Sequence, residues 1–360
     1  MGPLAGLKVI EMSAIGPVPL AGMLLADMGA EVLVVDKAND PYRMPGDVLR
    51  RGKHSLEVDL KSELGVDKVR RLINHADIVI EGFRPGVMER LGLGPDVFEE
   101  SNGALIYGRM TGWGQTGPLA QAAGHDINYI ALTGALHAIG RKDSPPMPPL
   151  NLVGDYGGGT MFLLMGVLAA LHESKASGQG QVVDAAITEG TANLMSMFYT
   201  MSNLGAWHTQ RASNLLDSAA HFYDSYETSD KKFITLGAIE PHFYQLMIEK
   251  MGLDPDDFAK QNDPTKWPEL KAKLATIVAL KTQQEWRDEL EGSDVCFAPV
   301  LDLHQSTEHE HMKAREAYIE IDGLTQPSPA PKFSRTKSQV KLKDKTNIED
   351  VLSAWSKPSL

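Results

Sequence analysis

Short apolar runs alternate along the first half of the chain with stretches whose apolar residues recur every three to four positions. Residues 7–12, 31–36, 55–59, 77–82, 105–109 and 181–185 read as strands. Helical patterns lie between them, at 20–28, closed by Gly29, and at 61–75. After residue 155 an apolar helical run continues to Glu173, and another helix opens near Glu189. This alternation predicts a Rossmann-like, mostly parallel sheet covered by helices. The texture changes near residue 210. Segments 221–228 and 232–238, joined by Ser229-Asp230, predict an antiparallel hairpin, with helical patterns at 241–251, 267–280 and 284–290. The expected organisation is a large α/β domain over 1–195, a linker over 196–220, a small α+β domain over 221–292 and a return linker over 293–319. Prolines 327, 329 and 331 mark a connection, and the polar tail beyond them reads as a surface segment.

Composition narrows the function classes. The length of 360 residues exceeds what one compact core usually holds. A hydrophobic fraction of 42% with 23% charged residues is ordinary for a globular protein, and a net charge of −12 argues against nucleic acid and anionic membrane surfaces. The lone Cys296, in the apolar run Val295-Cys-Phe-Ala-Pro-Val300, reads as a small buried side chain in a reducing compartment. No targeting segment opens the sequence, and no apolar run reaches the ~18 residues of a membrane span. A cytoplasmic location is expected. The tail Lys357-Pro-Ser-Leu360 carries a faint peroxisomal signal as the alternative.

A strand, a turn, a helix and a strand ending in Asp36 imitate a dinucleotide-binding unit. The turn Ser13-Ala-Ile-Gly-Pro-Val-Pro19 has one glycine where the fingerprint needs three, and two prolines stiffen the rest, which sets NAD and FAD aside. Lys37, Arg43, Arg50, Arg51 and Lys53 cluster on this acidic chain, and Arg84 and Arg90 follow a later strand. A solvated surface is one reading. The position after a parallel strand's C-terminal end, where α/β folds bind ligands, favours a compact polyanion.

Two glycine-hinged segments carry the chemistry. Gly124-His125-Asp126-Ile127-Asn128-Tyr129 places an imidazole on a loop, and Asn151-Leu-Val-Gly-Asp155-Tyr-Gly-Gly-Gly159 places a carboxylate before an apolar helix. Together they suffice to move a proton on and off a carbon. Histidine titrates near ~6.5 and serves as acid or base, whereas a carboxylate near ~4 must be raised by desolvation. Free N–H groups after Asp155 would suit a developing enolate oxygen, and helix capping is the alternative role for that carboxylate. His304, His309 and His311 lack regular ligand spacing and read as a solvated face; no metal is expected. No Gly-x-Ser-x-Gly elbow is present.

The order and wording of these blocks, from Leu4 to about Ser334, resemble the alpha-methylacyl-CoA racemases of the family III CoA-transferase group. The resemblance implies that His125 and Asp155 are the two acid/bases of a 1,1-proton transfer on a 2-methylacyl-CoA thioester. It implies that Glu240 hydrogen-bonds the histidine, and that no metal or organic cofactor takes part. It implies that coenzyme A meets Lys37, Val58, Asp59, Leu60, Lys61, Gly82, Phe83, Arg84, Arg90, Gly124, Asp126, Ile127, Asn128 and Tyr129; the basic cluster adds Arg51. It further implies an interlocked homodimer, a C-terminal segment of about 320–360 returning to the large domain, and methionines flanking the acyl chain. One segment departs: the family commonly has Asn-Met-Leu-Asp-Gly-Gly-Ala-Pro where this chain reads Asn214-Leu-Leu-Asp-Ser-Ala-Ala-His221, so a changed acyl pocket is expected. Two rival readings remain: a CoA-transferase of the same fold with Asp155 as nucleophile, or a non-catalytic CoA-thioester binder.

Overall fold

Six parallel strands organise the first part of the chain: β1 (Lys8–Met12), β2 (Glu31–Asp36), β3 (Lys53–Glu57), β4 (Ile78–Glu81), β5 (Ile106–Thr111) and β6 (Gln181–Ala186). Their order is β3-β2-β1-β4-β5-β6, with every pairing parallel. The computed structural model describes residues 2–37, 44–342 and 346–356; Arg43 and the tail at 357–360 lie outside them. Contacts divide the chain into two units, one of Met1–Ala135, Pro149–Ser196 and Ile319–Leu360, the other of Leu136–Pro148 and Met197–Tyr318.

The inner strands read as near-continuous apolar runs because helices cover both faces of the sheet. One face carries Ile10, Leu33, Val79 and Tyr107, packed with Leu72 and Ile73 of α2 (Glu63–Ile73), a helix capped by the Ser62 hydroxyl accepting the Gly65 N–H at 3.1 Å. The other face carries Val9, Val32, Ile78 and Ile106, packed with Val18, Ala21 and Leu25 of α1 (Pro17–Asp27). Prolines 17 and 19 fall in the first turn of α1, where a missing N–H is tolerated, and they leave that end few donors for a phosphate. Strand order reverses between β1 and β4, so their C-terminal ends diverge and open a crevice.

Two elements differ from expectation. Residues Leu152–Thr160 form a π-helical segment that continues into the α-helix Met161–Ser177, so Asp155 falls in the first turn of a helical run whose N-cap position is Asn151. The combined run Leu152–Ser177, 26 residues containing an 18-residue stretch with a mean hydropathy of 1.4, is long and apolar enough to cross a membrane. Here Leu163, Leu164, Val167 and Ala170 fill the core of the sheet. The tail is also more than a polar surface segment. Its helix Ile348–Trp355 buries Ile348, Val351, Leu352 and Trp355 in the α2 face. Lys8 Nζ donates to the Trp355 carbonyl at 2.6 Å, and Trp355 Nε1 donates to Glu31 at 2.9 Å.

The second unit has a three-stranded antiparallel sheet, β7 (Tyr223–Glu227), β8 (Phe233–Gly237) and β9 (Phe297–Val300). Helices Pro241–Lys250, Trp267–Val278 and Gln283–Leu290 cover it. Cys296 precedes β9 with φ 56° and is exposed, correcting the buried reading. The departing segment folds on itself: buried Asn214 bonds the His208 backbone at both N and O and the Asp217 carboxylate. His221 is fully buried among Phe222, Tyr244 and Phe258, so the histidine that replaces proline serves this core and not an acyl pocket.

The Tyr244 hydroxyl donates to the Phe258 carbonyl at 3.0 Å, so it accepts the His221 Nε2–H at 2.6 Å, leaving buried Nδ1 bare. Burial, with the Lys271 charge adding to it, pushes the imidazole down to about 4. The folded state thus excludes a proton that the unfolded chain binds below ~6.5. The stability this contributes is complete above that pH and falls away as pH drops toward 4, by about 3 kcal/mol. Urea unfolding between pH 7 and 4.5 is expected to show this loss, and His221→Leu to flatten it; an identical slope in the variant contradicts the assignment.

Candidate active site

The crevice at the strand reversal is a cavity of about 410 Å³, lined among others by Gly16, Gly82, Met110, Gly124, His125 and Asp155. Ile15 to Val18, the turn that imitates a dinucleotide site, forms one wall. His125 precedes the helix Asp126–Ala131 and is exposed; the Asn128 side-chain oxygen accepts its backbone N–H at 3.0 Å, which fixes the loop. Tyr129, stacked edge-on to Trp113 at 4.8 Å, donates its hydroxyl to the Gly124 carbonyl and closes the same loop.

Asp155 is half-buried in the π-helical turn. Its carboxyl is held above the ordinary range, chiefly by burial and also by the neighbouring Asp126 charge; an Asn151 hydrogen bond at 3.4 Å and the charge of His125 oppose the rise. This is the direction a carboxylate needs to work as a base near neutral pH. The capping role is excluded, since the turn continues past it on both sides. The expected free N–H donors after Asp155 are also corrected: the Tyr156 N–H is bonded to the Asn151 carbonyl at 3.2 Å. Gly158 is pressed against the helix Ile187–Leu194, where a Cβ would lie 2.3 Å from the Thr191 hydroxyl oxygen.

The first unit therefore brings His125, Asp155, Gly82, Gly124 and Tyr129 together at one cavity. Glu240 is on the second unit, exposed at the start of Pro241–Lys250, where it makes no side-chain cap; its charge is felt by the Cys296 thiol. Lys37 is exposed just past β2. Val58 is buried beside a second cavity of about 270 Å³, and the turn after it is held by Asp59 accepting the Lys61 N–H at 2.9 Å, with Leu60 packed on the core. Phe83 packs on the sheet core, while Arg84 and Arg90 are exposed, as are Ile127 and Asn128.

Three residues escaped the sequence reading. Gly16 faces the Asp155 carboxylate, and Asn151 bonds it. Glu81 accepts the Phe83 N–H at 2.7 Å and so shapes the turn bearing Arg84; burial lifts its carboxyl to about 7 against the pull of Arg109. Only the apolar wording around Glu81 hinted that it is buried.

The basic cluster resolves differently from expectation. Arg51 is buried, and its guanidinium bonds Asp27 at 3.1 and 2.6 Å, Gln326 at 3.0 Å and the Pro327 carbonyl at 2.5 Å. Lys53 pairs with buried Glu11 at 2.6 Å, and Arg50 pairs with Asp36. Arg51 is thus withdrawn from the substrate-binding set. Asp126 also turns inward: its carboxylate accepts the Asp155 N–H at 2.6 Å. Among the described residues no group of three or more His, Cys, Asp or Glu is placed to hold a metal ion.

An open parallel α/β sheet with a histidine and a carboxylate at its switch point is the class defined by the fold. A CaiB/BaiF family protein from Brucella suis shares that fold, with a TM-score of 0.82 over 99% of both chains at 22% identity. The family described as CoA-transferase family III matches residues 4–345, and the chain belongs to this family. Alpha-methylacyl-CoA racemase of Mus musculus is 44% identical over 335 residues, covering 92% of this chain and 87% of that protein. Succinyl-CoA–D-citramalate CoA-transferase of Chloroflexus aurantiacus is 36% identical over 263 residues, covering 69% and 65%. The family therefore holds proteins named as racemases and others named as transferases.

Arg51→Ala leaves Asp27 as an uncompensated buried charge, a change that typically costs about 3–5 kcal/mol. Urea denaturation should report a loss of that size. A variant as stable as the parent would return Arg51 to the candidate ligand contacts.

Proposed function

We propose that this protein is an isomerase that interconverts (R)- and (S)-2-methylacyl-CoA thioesters by 1,1-proton transfer. The observation that carries the proposal is the pairing of His125 with a carboxylate, Asp155, held above its ordinary range in the same cavity. The name and the 44% identity of the mouse relative support it. One base takes the proton from C2, giving an enolate; the other, protonated, returns a proton to the opposite face. The two steps are redox-neutral and need no metal or organic cofactor. Lipid metabolism is the proposed setting.

Lys37, Arg84 and Arg90 are proposed to neutralise the phosphates of coenzyme A, with Val58 to Lys61, Gly82, Phe83, Gly124 and Ile127 to Tyr129 flanking the ligand. A homodimer is part of the proposal. Met161 and Met165, one turn apart on a helix, and Val182 on the edge strand β6 expose apolar surface suited to a second copy. The transferase reading, supported by the Chloroflexus relative, keeps Asp155 but makes it a nucleophile toward the thioester carbonyl.

Deuterium exchange separates the two readings. In D₂O the parent protein should place deuterium at C2 of both epimers. Loss of one base should lower inversion by at least ~10²–10⁴-fold. His125→Ala and Asp155→Ala should each retain exchange from one epimer only, and opposite ones. Acyl transfer to an added acid without C2 exchange would establish the transferase instead.

Charged hydrogen bonds are worth ~1.5–3 kcal/mol, so Arg84→Ala should weaken CoA-ester binding by about one to two decades with little change in kcat. Calorimetric titration measures the constant directly, and an unchanged Kd removes Arg84 from the phosphate site.

A further inference from the structure

Asp126 is unusual for the first residue of a helix. Such an acid ordinarily faces solvent or its own first turn, whereas this one is only 8% exposed and points at a different element. One carboxylate oxygen accepts the Asp155 N–H at 2.6 Å. Gly154 permits the approach, because a Cβ there would lie 2.3 Å from that oxygen. The other oxygen is buried and has no partner among the described residues. His125 and Asp126 are adjacent in sequence, so one side chain fastens the histidine's loop to the backbone of the opposite base.

We infer that Asp126 is a positioning residue, whose carboxylate holds Asp155 in the π-helical turn at a fixed distance from His125 and keeps a negative charge beside it. The inference rests on the two-base reading above. The groups facing Asp155 are His125, Asp126 and Tyr129, with Asn151 as a hydrogen-bond donor; Arg84 acts on Tyr129 from outside. Of these, Asp126 alone opposes ionisation of Asp155 by its charge. Removing that charge while keeping the side chain's size lowers the basicity of Asp155 and leaves His125 without a new neighbour. The effect therefore falls on C2 exchange from one epimer more than from the other, which a residue serving only to stabilise the fold does not produce.

The test is C2 exchange of each epimer in D₂O across pH, for the parent, Asp126→Asn and Gly154→Ala. Gly154→Ala disturbs the same contact from the other side and decides the matter if Asp126→Asn does not fold. The epimer whose exchange Asp155→Ala abolishes should exchange more slowly by ~10²-fold, the lower end of what a placed base contributes. The acid limb of its pH profile should move to lower pH in Asp126→Asn, while the other epimer's exchange and both KM values stay close to the parent's. Equal slowing of both epimers, or of neither, overturns the positioning role. Absence of exchange in the parent itself overturns the two-base reading and not this assignment alone.

Discussion

The strand reversal between β1 and β4 is the constraint from which the site follows. Parallel strands present their C-terminal ends together, and where the order turns back the connecting loops must part. Into that gap the chain feeds the Ile15–Val18 turn from β1, the Gly82 turn from β4 and the long excursion between β5 and β6. That excursion supplies both His125 and Asp155. The backbone at each is fastened, His125 by the Asn128 side chain and Asp155 by the Asp126 carboxylate, so the two residues are tied to elements of the sheet's helical cover.

Charge is distributed in the same spirit. The cations of 50–53 are absorbed by Asp36, Asp27 and Glu11, which lets β3 begin with charged residues inside the fold. Partnered in this way, buried charges are tolerated and specify a unique arrangement, although they add little net stability over apolar packing. Arg84 and Arg90, by contrast, have no ion-pair partner among the described residues. Exposure and lack of a partner make them the better candidates for an anionic ligand.

The sheet was legible because its strands are buried on both faces and read as uninterrupted apolar runs. The hairpin was legible from its Ser229-Asp230 turn. β3 was placed two residues late, since Lys53 and His54 look like loop residues until the partner Glu11 is seen. Helix Ile348–Trp355 carries the one-face apolar spacing of an amphipathic helix, a signal that the reading of the tail as polar passed over. Of the site, His125 and Asp155 were legible from their glycine-rich surroundings together with the resemblance. The π-helical turn was not, because widening a helix by one residue leaves no local sequence signal. Asp126 was read as a ligand contact because only the fold reveals that its carboxylate faces Asp155.

The central claim is geometric: one bound carbon lies between two bases. A crystal structure with a bound 2-methylacyl-CoA measures it directly. The account predicts C2 within about 3–3.5 Å of both the His125 ring and the Asp155 carboxylate, on opposite faces. An acyl group with C2 remote from His125, and with Asp155 aimed at the thioester carbonyl carbon, would contradict it.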